Sequence, residues 1–333
     1  MSNEKWVPIV EAATRAPSIH NTQPWLFTAT GDRLDVFYDR NRALPVLDPT
    51  GRQQVISCGI AVEFAVVALR AAGSATEVVL LPDPAVPDHL ARIEVTGAHE
   101  PTAGDRALGQ AIADRHTVRA AFQPRAVPPE LLERLQSAAA GYRIWVKPIT
   151  DEEEEVATTF LLSRAEDLER GDPAYLAELQ RWMRTDPAAV DGVPADAVPA
   201  GDPRERPSNW LVRDFVAGSR EARMFLPAGD PDSPPPAVER PTVLLLGSDN
   251  DDRAAWLDAG RALGVLLLEA TAGGLSASPL TQALDWPATR NQLRTRLHLI
   301  GHPQMLLRLG YPPEDLSPVV SGRRPVAEVL STT

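Results

Sequence analysis

Polar side chains are concentrated in residues 15–25, which read RAPSIHNTQPW. Pro17 and Pro24 interrupt regular structure at both ends, so the segment is predicted to be an ordered loop after a first helix. The side chains between the two prolines are those of Ser18, Ile19, His20, Asn21, Thr22 and Gln23. Their amides and hydroxyls both donate and accept hydrogen bonds, which suits a flat heteroaromatic ligand with nitrogen and carbonyl edges. The alternative is a turn that satisfies its own backbone.

A second cluster, residues 114–122, reads DRHTVRAAF. Arg115, Thr117 and Arg119 are spaced two residues apart, so in an extended segment their side chains point to the same side. Two guanidinium groups and a hydroxyl on one side can hold a phosphate. The alternative is an exposed basic segment in an acidic protein. A third basic spot, Arg323 and Arg324, indicates little by itself.

Other sequence patterns with known chemistry are missing. The chain has no GxGxxG, P-loop, GxSxG or HExxH sequence. His298 and His302 are four residues apart, but Gly301 and Pro303 prevent a helix there, and we expect no metal site. The single cysteine, Cys58, excludes an internal disulfide and is expected to be a small buried residue rather than a nucleophile. No catalytic side chain is assigned.

The composition is that of an ordinary soluble globular protein. The chain has 333 residues, of which 44% are hydrophobic and 23% charged, and its net charge is -12. That balance excludes a fibre or wholesale disorder and disfavours broad binding to nucleic acid or anionic lipid. No run of about 18 apolar residues and no secretory signal pattern is present, so neither a membrane span nor export is expected. We therefore expect a cytoplasmic protein without a nucleic-acid or membrane partner.

Helix and strand patterns alternate along the chain. Helices are predicted over residues 4–16, 55–72, 104–115, 129–140 and 253–273, and strands over residues 34–38, 77–81, 92–95, 143–149, 242–247 and 305–309. A further helix is predicted to start at residues 152–155, with Thr150 as its cap. The order lacks a strict βαβ repeat, so the predicted fold class is α+β, or mixed α/β.

A proline-rich stretch interrupts the second half of the chain. Eleven of the 32 prolines lie between Pro187 and Pro241, a density that forbids long helices and central strands. The stretch also carries the apolar residues Trp210, Leu211 and Val212. We predict a lid insertion at about residues 186–240 that folds over a site; the alternative is a mobile surface excursion.

The two clusters and three later segments together resemble the nitroreductase superfamily of flavoproteins, and more closely its single-chain Acg family. Residues 17–25 are similar to the PSxxNxQPW flavin loop of that superfamily, and residues 115–132 to its RRSxRxF…VPxExL segment. The later segments that resemble it are residues 256–261, 269–279, and 309–312 with 323–325. The five occur in the expected order over nearly the whole chain.

The order of the motifs predicts a duplicated architecture. In ordinary nitroreductases, two-fold dimers with two interfacial FMN sites, the arginine motif comes before the loop, whereas here the loop comes about 95 residues earlier. The resemblance therefore implies two fused halves, each with the motif that the other lacks. We expect a first half at residues 1–104 with the ring loop and a second half at residues 105–333 with the phosphate site and the lid. Such an internal pseudo-dimer can act as a monomer with one FMN.

The resemblance also implies roles for individual residues. The FMN phosphate would be held by Arg115, Thr117, Arg119 and one of Arg323 or Arg324. The ring would be lined by Pro17, Ser18, Asn21 and Gln23, and its N5 side approached by Ser276, Ala277, Ser278 and Pro279.

Three functions remain open at this stage. The first is an FMN-dependent oxidoreductase that passes hydride from NAD(P)H through flavin N5 to a small acceptor such as a quinone, nitro compound or enone. The second is an FMN store with a closed lid and no turnover, because fold alone does not establish activity. The third is a specialised biosynthetic oxidase or dehydrogenase.

Overall fold

The computed structural model describes residues 3–198, 210, 239, 241–316 and 319–332. Its helices are α1 (Trp6–Thr14), α2 (Arg52–Ala71), α3 (Ala103–Asp114), α4 (Pro129–Ala140), α5 (Glu152–Gly171), α6 (Pro173–Arg181), α7 (Arg253–Ala272), α8 (Gln282–Asp285), α9 (Pro287–Arg296) and α10 (Val326–Val329). Its strands are β1 (Trp25–Thr30), β2 (Arg33–Tyr38), β3 (Ser74–Leu80), β4 (His89–Ala98), β5 (Ile144–Ile149), β6 (Met183–Arg184), β7 (Val193–Pro194), β8 (Thr242–Ser248), β9 (Ser276–Pro279), β10 (His302–Gly310) and β11 (Leu330–Thr332). The predicted mixed α/β class is confirmed.

Two antiparallel sheets repeat one strand order. The first runs β1-β2-β4-β3 and the second β5-β8-β10-β9, and all six of these pairings are antiparallel. A 20-residue helix connects the second and third strands of each sheet in chain order. Helix α2 lies between β2 and β3, and α7 lies between β8 and β9. The C-terminal strand β11 returns to the first sheet and pairs in parallel with β1. The predicted boundary between two halves at residues 104 and 105 stays a prediction. Two copies of one unit would have the same strand order, as these two sheets do.

The helices α2 and α7 cross in the middle of the main hydrophobic core. A Cβ atom added to Gly260 would lie 2.1 Å from the carbonyl oxygen of Ile56 and 2.8 Å from the Cα of Gly59, so the two backbones are in direct contact. Among the described helices α2 is long and apolar enough to cross a membrane, yet 83% of its most apolar stretch is buried inside the protein. In this fold α2 is a core helix.

The Gly260→Ala variant is expected to lose about 3 kcal/mol of unfolding free energy, because the clash is with backbone that cannot rotate away. Gly104→Ala in α3 is the matched control, since its Cβ would meet only the Thr102 hydroxyl at 3.6 Å. Urea unfolding of both variants measures the difference. Equal stability of the two variants would contradict the close crossing.

Most predicted elements lie within three residues of the observed ones, and the helix over residues 129–140 matches α4 at both ends. The predicted cap of α5 was wrong by one residue. Asp151, not Thr150, caps that helix, because its carboxylate accepts hydrogen bonds from the backbone N–H groups of Glu153 and Glu154. The prediction missed the nine-residue helix α6, the strands β1 and β9, the helix α9, and the short elements α8, α10, β6, β7 and β11.

The predicted lid at residues 186–240 lies mostly outside the described residues. Its first part, residues 186–198, is described, as are two single residues, Trp210 and Glu239. Trp210 is buried and packs in a second hydrophobic cluster with residues such as Leu161 and Leu245. The described first part packs against residues 21–23, as the hydrogen bonds given below show.

Candidate functional site

The loop between α1 and β1 has an unusual backbone. His20, Asn21 and Gln23 have φ values of 46°, 53° and 50°, a region that non-glycine residues rarely adopt. Ser18 Oγ accepts a hydrogen bond from Gln23 N at 2.9 Å, and Ser57 Oγ on α2 accepts one from Ile19 N at 3.1 Å. These bonds hold the loop in a conformation that an isolated chain would leave.

The amides of Asn21 and Gln23 tie this loop to distant parts of the chain. Asn21 Nδ2 donates to the carbonyl oxygens of Gly192 at 3.0 Å and Gly322 at 3.1 Å. Gln23, fully buried, donates from Nε2 to Val190 O at 2.8 Å. The Gln23 side chain therefore supports the loop from behind and lines neither of the two cavities described below, whereas Asn21 lines the second of them.

Arg115, Thr117 and Arg119 follow α3 in an extended segment. Val118 N donates to Ala277 O at 3.0 Å, and Thr117 forms a parallel bridge with Ala277, so the segment is fixed beside β9. All three side chains line the same cavities, as the spacing of two predicts, while Val118 is buried on the other side.

Two cavities meet at these residues. The first, about 880 Å³ including its open mouth, has mostly apolar walls from α2, α7, β9 and β10. Its walls include Ile56, Ile60, Leu263, Leu267, Met305 and Leu307. The second, about 700 Å³, is polar and contains Arg15, His116, Arg323 and Asn21. Both cavities share Pro17, Ser18, Arg115, Thr117 and Arg119.

The second cavity is strongly cationic. Of the described residues that line either cavity, none is an Asp or Glu. Burial and the neighbouring Arg323 lower the pKa of the Arg115 guanidinium to about 9, and burial and Arg15 lower that of Arg323 to about 10. The pKa of His116 is also lowered, first by burial and then by Arg115 and Arg323. A bound anion would relieve this repulsion.

Only one of the two C-terminal arginines lines a cavity. Arg323 donates from Nη1 to Asn21 Oδ1 at 3.2 Å and from Nη2 to Arg15 O at 3.3 Å. Arg324 turns away, pairs with Asp39 at 3.2 Å, and donates from its backbone N–H to Gln23 Oε1 at 2.8 Å. Arg323 is thus the one placed to meet a ligand.

The segment of residues 276–279 forms β9, so its side chains alternate between two faces. Ala277 and Pro279 line the first cavity, whereas Ser276 and Ser278 do not. The backbone of this strand is hydrogen-bonded to β10 on one side and to the arginine segment on the other.

The prediction missed several residues at the site. Arg15 and His116 adjoin the predicted motifs, so charge at those positions was a usable signal. Gln53, Ser57 and Gln282 reach the first cavity from α2 and α8, and Gly192 and Ala197 reach the second from residues 189–197. No local pattern marks these five, because only the tertiary fold brings them to the site.

Known proteins are similar to this sequence over most of its length. Residues 112–311 match the family described as "Nitroreductase family". The chain is 34% identical over 328 residues to "Putative NAD(P)H nitroreductase Rv3131" of Mycobacterium tuberculosis, covering 97% of this chain and 90% of the relative. This chain belongs to the nitroreductase family. The predicted resemblance to the Acg family is supported by 32% identity over 326 residues to "Putative NAD(P)H nitroreductase acg" of the same organism, covering 96% of this chain and 93% of that one.

Solved structures of nitroreductases have lower sequence identity to this chain than the relatives above. An "FMN and NADPH-dependent nitroreductase NfnB" from Sphigopyxis sp. is 19% identical, with a TM-score of 0.41 over 67% of this chain and 97% of that one. An FMN-dependent NfnB from Mycobacterium smegmatis, solved with NADPH, is also 19% identical, with a TM-score of 0.39 over 67% and 96% of the two chains.

Proposed function

We propose that the chain binds one FMN across the two cavities and acts as an FMN-dependent oxidoreductase. The observation that carries this proposal is that the cationic and the apolar cavity share the loop at Pro17 and Ser18 and the segment from Arg115 to Arg119. FMN has the matching construction, a phosphate dianion joined by a short chain to a flat ring. Relatives named putative NAD(P)H nitroreductase support the same assignment.

The cationic cavity has unpaired hydrogen-bond donors of the kind that a phosphate would accept from. The buried Nε atoms of Arg115 and Arg323 have no hydrogen-bond partner in the described part of the chain. Leaving such donors unpaired costs free energy, and phosphate oxygens accept from guanidinium groups in bidentate geometry. Arg115, Thr117, Arg119 and Arg323 would therefore hold the phosphate, and Arg15 would add a further positive charge.

The ring would lie in the apolar cavity. Pro17 and Ser18 line it directly, Asn21 and Gln23 act by holding the loop in place, and Ala277 and Pro279 approach from β9. Bound FMN supplies hydride transfer at N5. The chain's own residues supply a pocket whose mostly apolar walls suit an uncharged acceptor such as a quinone, nitro compound or enone, with NAD(P)H as donor.

The repeated strand order supports one site per chain. The loop before β1 has ten residues, 15–24, whereas its counterpart before β5 has three, 141–143. The groove beside this shorter loop is lined by Tyr142 and Arg261. The Tyr142 hydroxyl donates to Glu63 Oε1 at 2.6 Å, and Arg261 pairs with Glu63 at 3.0 Å, so both side chains already have protein partners. We infer a pseudo-dimer of residues 1–104 and 105–333 that works as a cytoplasmic monomer.

A flavin store is the second candidate. Gly192, Val193 and Ala197, from the first part of the predicted lid, form a wall of the cationic cavity, and such a wall would slow exchange. A store retains FMN without reduction by either pyridine nucleotide. An oxidoreductase is reduced by at least one of them and reoxidised by an acceptor.

The deciding experiment is an anaerobic titration of the purified yellow protein with NADH and then NADPH. We expect a flavin-to-chain ratio of one and bleaching of the flavin absorption by one of the two donors. Bound flavin that neither donor bleaches would favour the store. A ratio near two would contradict the single site, and a protein without affinity for FMN would overturn the proposed function.

A further inference from the structure

Gln282 carries an unused hydrogen-bond donor at the apolar cavity. The residue is 1% exposed, lines that cavity from α8, and its Nε2 has no hydrogen-bond partner among the residues that the structure describes. A buried amide without a partner costs free energy, and each such group in a native protein calls for an explanation, such as a functional role or a bound water or ion.

Three other polar side chains of the same cavity already donate hydrogen bonds to protein acceptors. Gln53 Nε2 donates to Asp285 Oδ1 at 3.0 Å, and Thr281 Oγ1 donates to Asp285 Oδ2 at 3.1 Å. Ser57 Oγ donates to Gln53 O at 2.7 Å. Gln282 therefore differs from Gln53, the other cavity-lining glutamine, in having an amide left free for a ligand.

The chemistry of the cavity defines the ligand atom. The arginines lie where the two cavities join and in the cationic one, so a phosphate-bearing ligand places its uncharged end among the apolar walls and Gln282. A neutral amide N–H pairs with a neutral carbonyl oxygen or ring nitrogen. Gln282 is not among the residues that the sequence marked.

We propose that Gln282 is a ligand-contact residue that donates from Nε2 to a carbonyl or nitrogen acceptor on the heteroaromatic ring of the bound flavin. This inference rests on the proposed function. It identifies the side chain that recognises the ring independently of the phosphate. In the flavin-free protein the same donor is a local cost, which binding removes.

The test compares Gln282→Leu with Gln53→Leu, using FMN and lumiflavin, which has the ring without the phosphate chain. Gln282→Leu is expected to raise the Kd of both ligands by the same factor, about two- to tenfold, the effect of one neutral hydrogen bond. The flavin-free Gln282→Leu protein is expected to melt at the wild-type temperature or above it, because an unpaired donor has been removed. Gln53→Leu is expected to lower the melting temperature, since it leaves Asp285 without that donor.

A spectroscopic readout separates a ring contact from a general packing change. The infrared carbonyl bands of bound FMN are expected to move to higher wavenumber in Gln282→Leu, because a carbonyl oxygen loses its donor. In Gln282→Asn, which keeps an amide, the shift is expected to be smaller. Wild-type affinity and unshifted bands in Gln282→Leu would overturn the contact while leaving FMN binding intact. Absence of FMN and lumiflavin binding in the wild type would overturn the proposed function and this inference together.

Discussion

The double variant Arg115→Ala with Arg119→Ala is expected to be purified colourless and folded. Both guanidinium groups line the cavities where they join, and the buried Nε of Arg115 has no hydrogen-bond partner among the described residues. Each hydrogen bond to a charged group contributes about 1.5–3 kcal/mol, so losing two weakens FMN binding by about 10²- to 10⁴-fold. Fluorescence titration with FMN measures the change, and circular dichroism reports the fold.

The matched control for this pair is Arg134→Ala. Arg134 lies on α4, is 57% exposed and pairs with Glu269 at 2.8 Å, so its removal changes the net charge away from the site. It is expected to leave the FMN Kd within about twofold, since exposed ion pairs contribute little. Lumiflavin, without a phosphate, is expected to bind the double variant as it binds the wild type. Yellow, FMN-saturated double variant would contradict the phosphate assignment.

The sequence located the cationic segment because its geometry is local. A spacing of two residues in extended chain places Arg115, Thr117 and Arg119 on one side whatever surrounds them. The contacts of Asn21 and Gln23 are different in kind. Their partners, Gly192, Gly322 and Val190, are between 167 and 301 residues away along the chain. Residue type alone predicts a polar loop but not which amides face a ligand.

The same distinction explains the fold. The long helices α2 and α7 were predictable because each is a long, largely apolar stretch that is followed directly by a glycine-containing end, at Gly73 and at Gly273. Strand β9 has the sequence SASP, which reads as a turn, and becomes a strand because β10 and residue 117 supply its partners. The matching strand order of the two sheets is a property of pairing, which no local pattern records.

A buried ion pair behind the arginine segment was also beyond the sequence. Arg308 on β10 pairs with Glu239 at 2.7 Å, and their side chains are 1% and 0% exposed. Glu239 Oε2 accepts from Phe122 N at 2.7 Å, and Arg308 Nη2 donates to Ala120 O at 2.9 Å. This pair therefore fixes the chain just after Arg119 and, through it, the proposed phosphate site.

Arg308→Met is expected to destabilise the flavin-free protein by about 3–5 kcal/mol, because it removes one partner of a buried, hydrogen-bonded ion pair. Urea unfolding measures this loss. FMN affinity is expected to fall as well, since the Ala120 carbonyl loses its donor and Arg119 loses its fixed backbone.

The second variant, Arg308→Met with Glu239→Gln, separates the ion pair from packing. Gln keeps an oxygen that can accept from Phe122 N but carries no charge, so the double variant is expected to be more stable than Arg308→Met alone. A double-mutant cycle should give a coupling of at least about 2 kcal/mol. Additive losses would mean that Arg308 acts through its packing against Phe122, whose ring lies 4.6 Å from the guanidinium, and not through charge. In that case the phosphate site would be held by shape, and FMN affinity would follow the volume at position 308 instead of its charge.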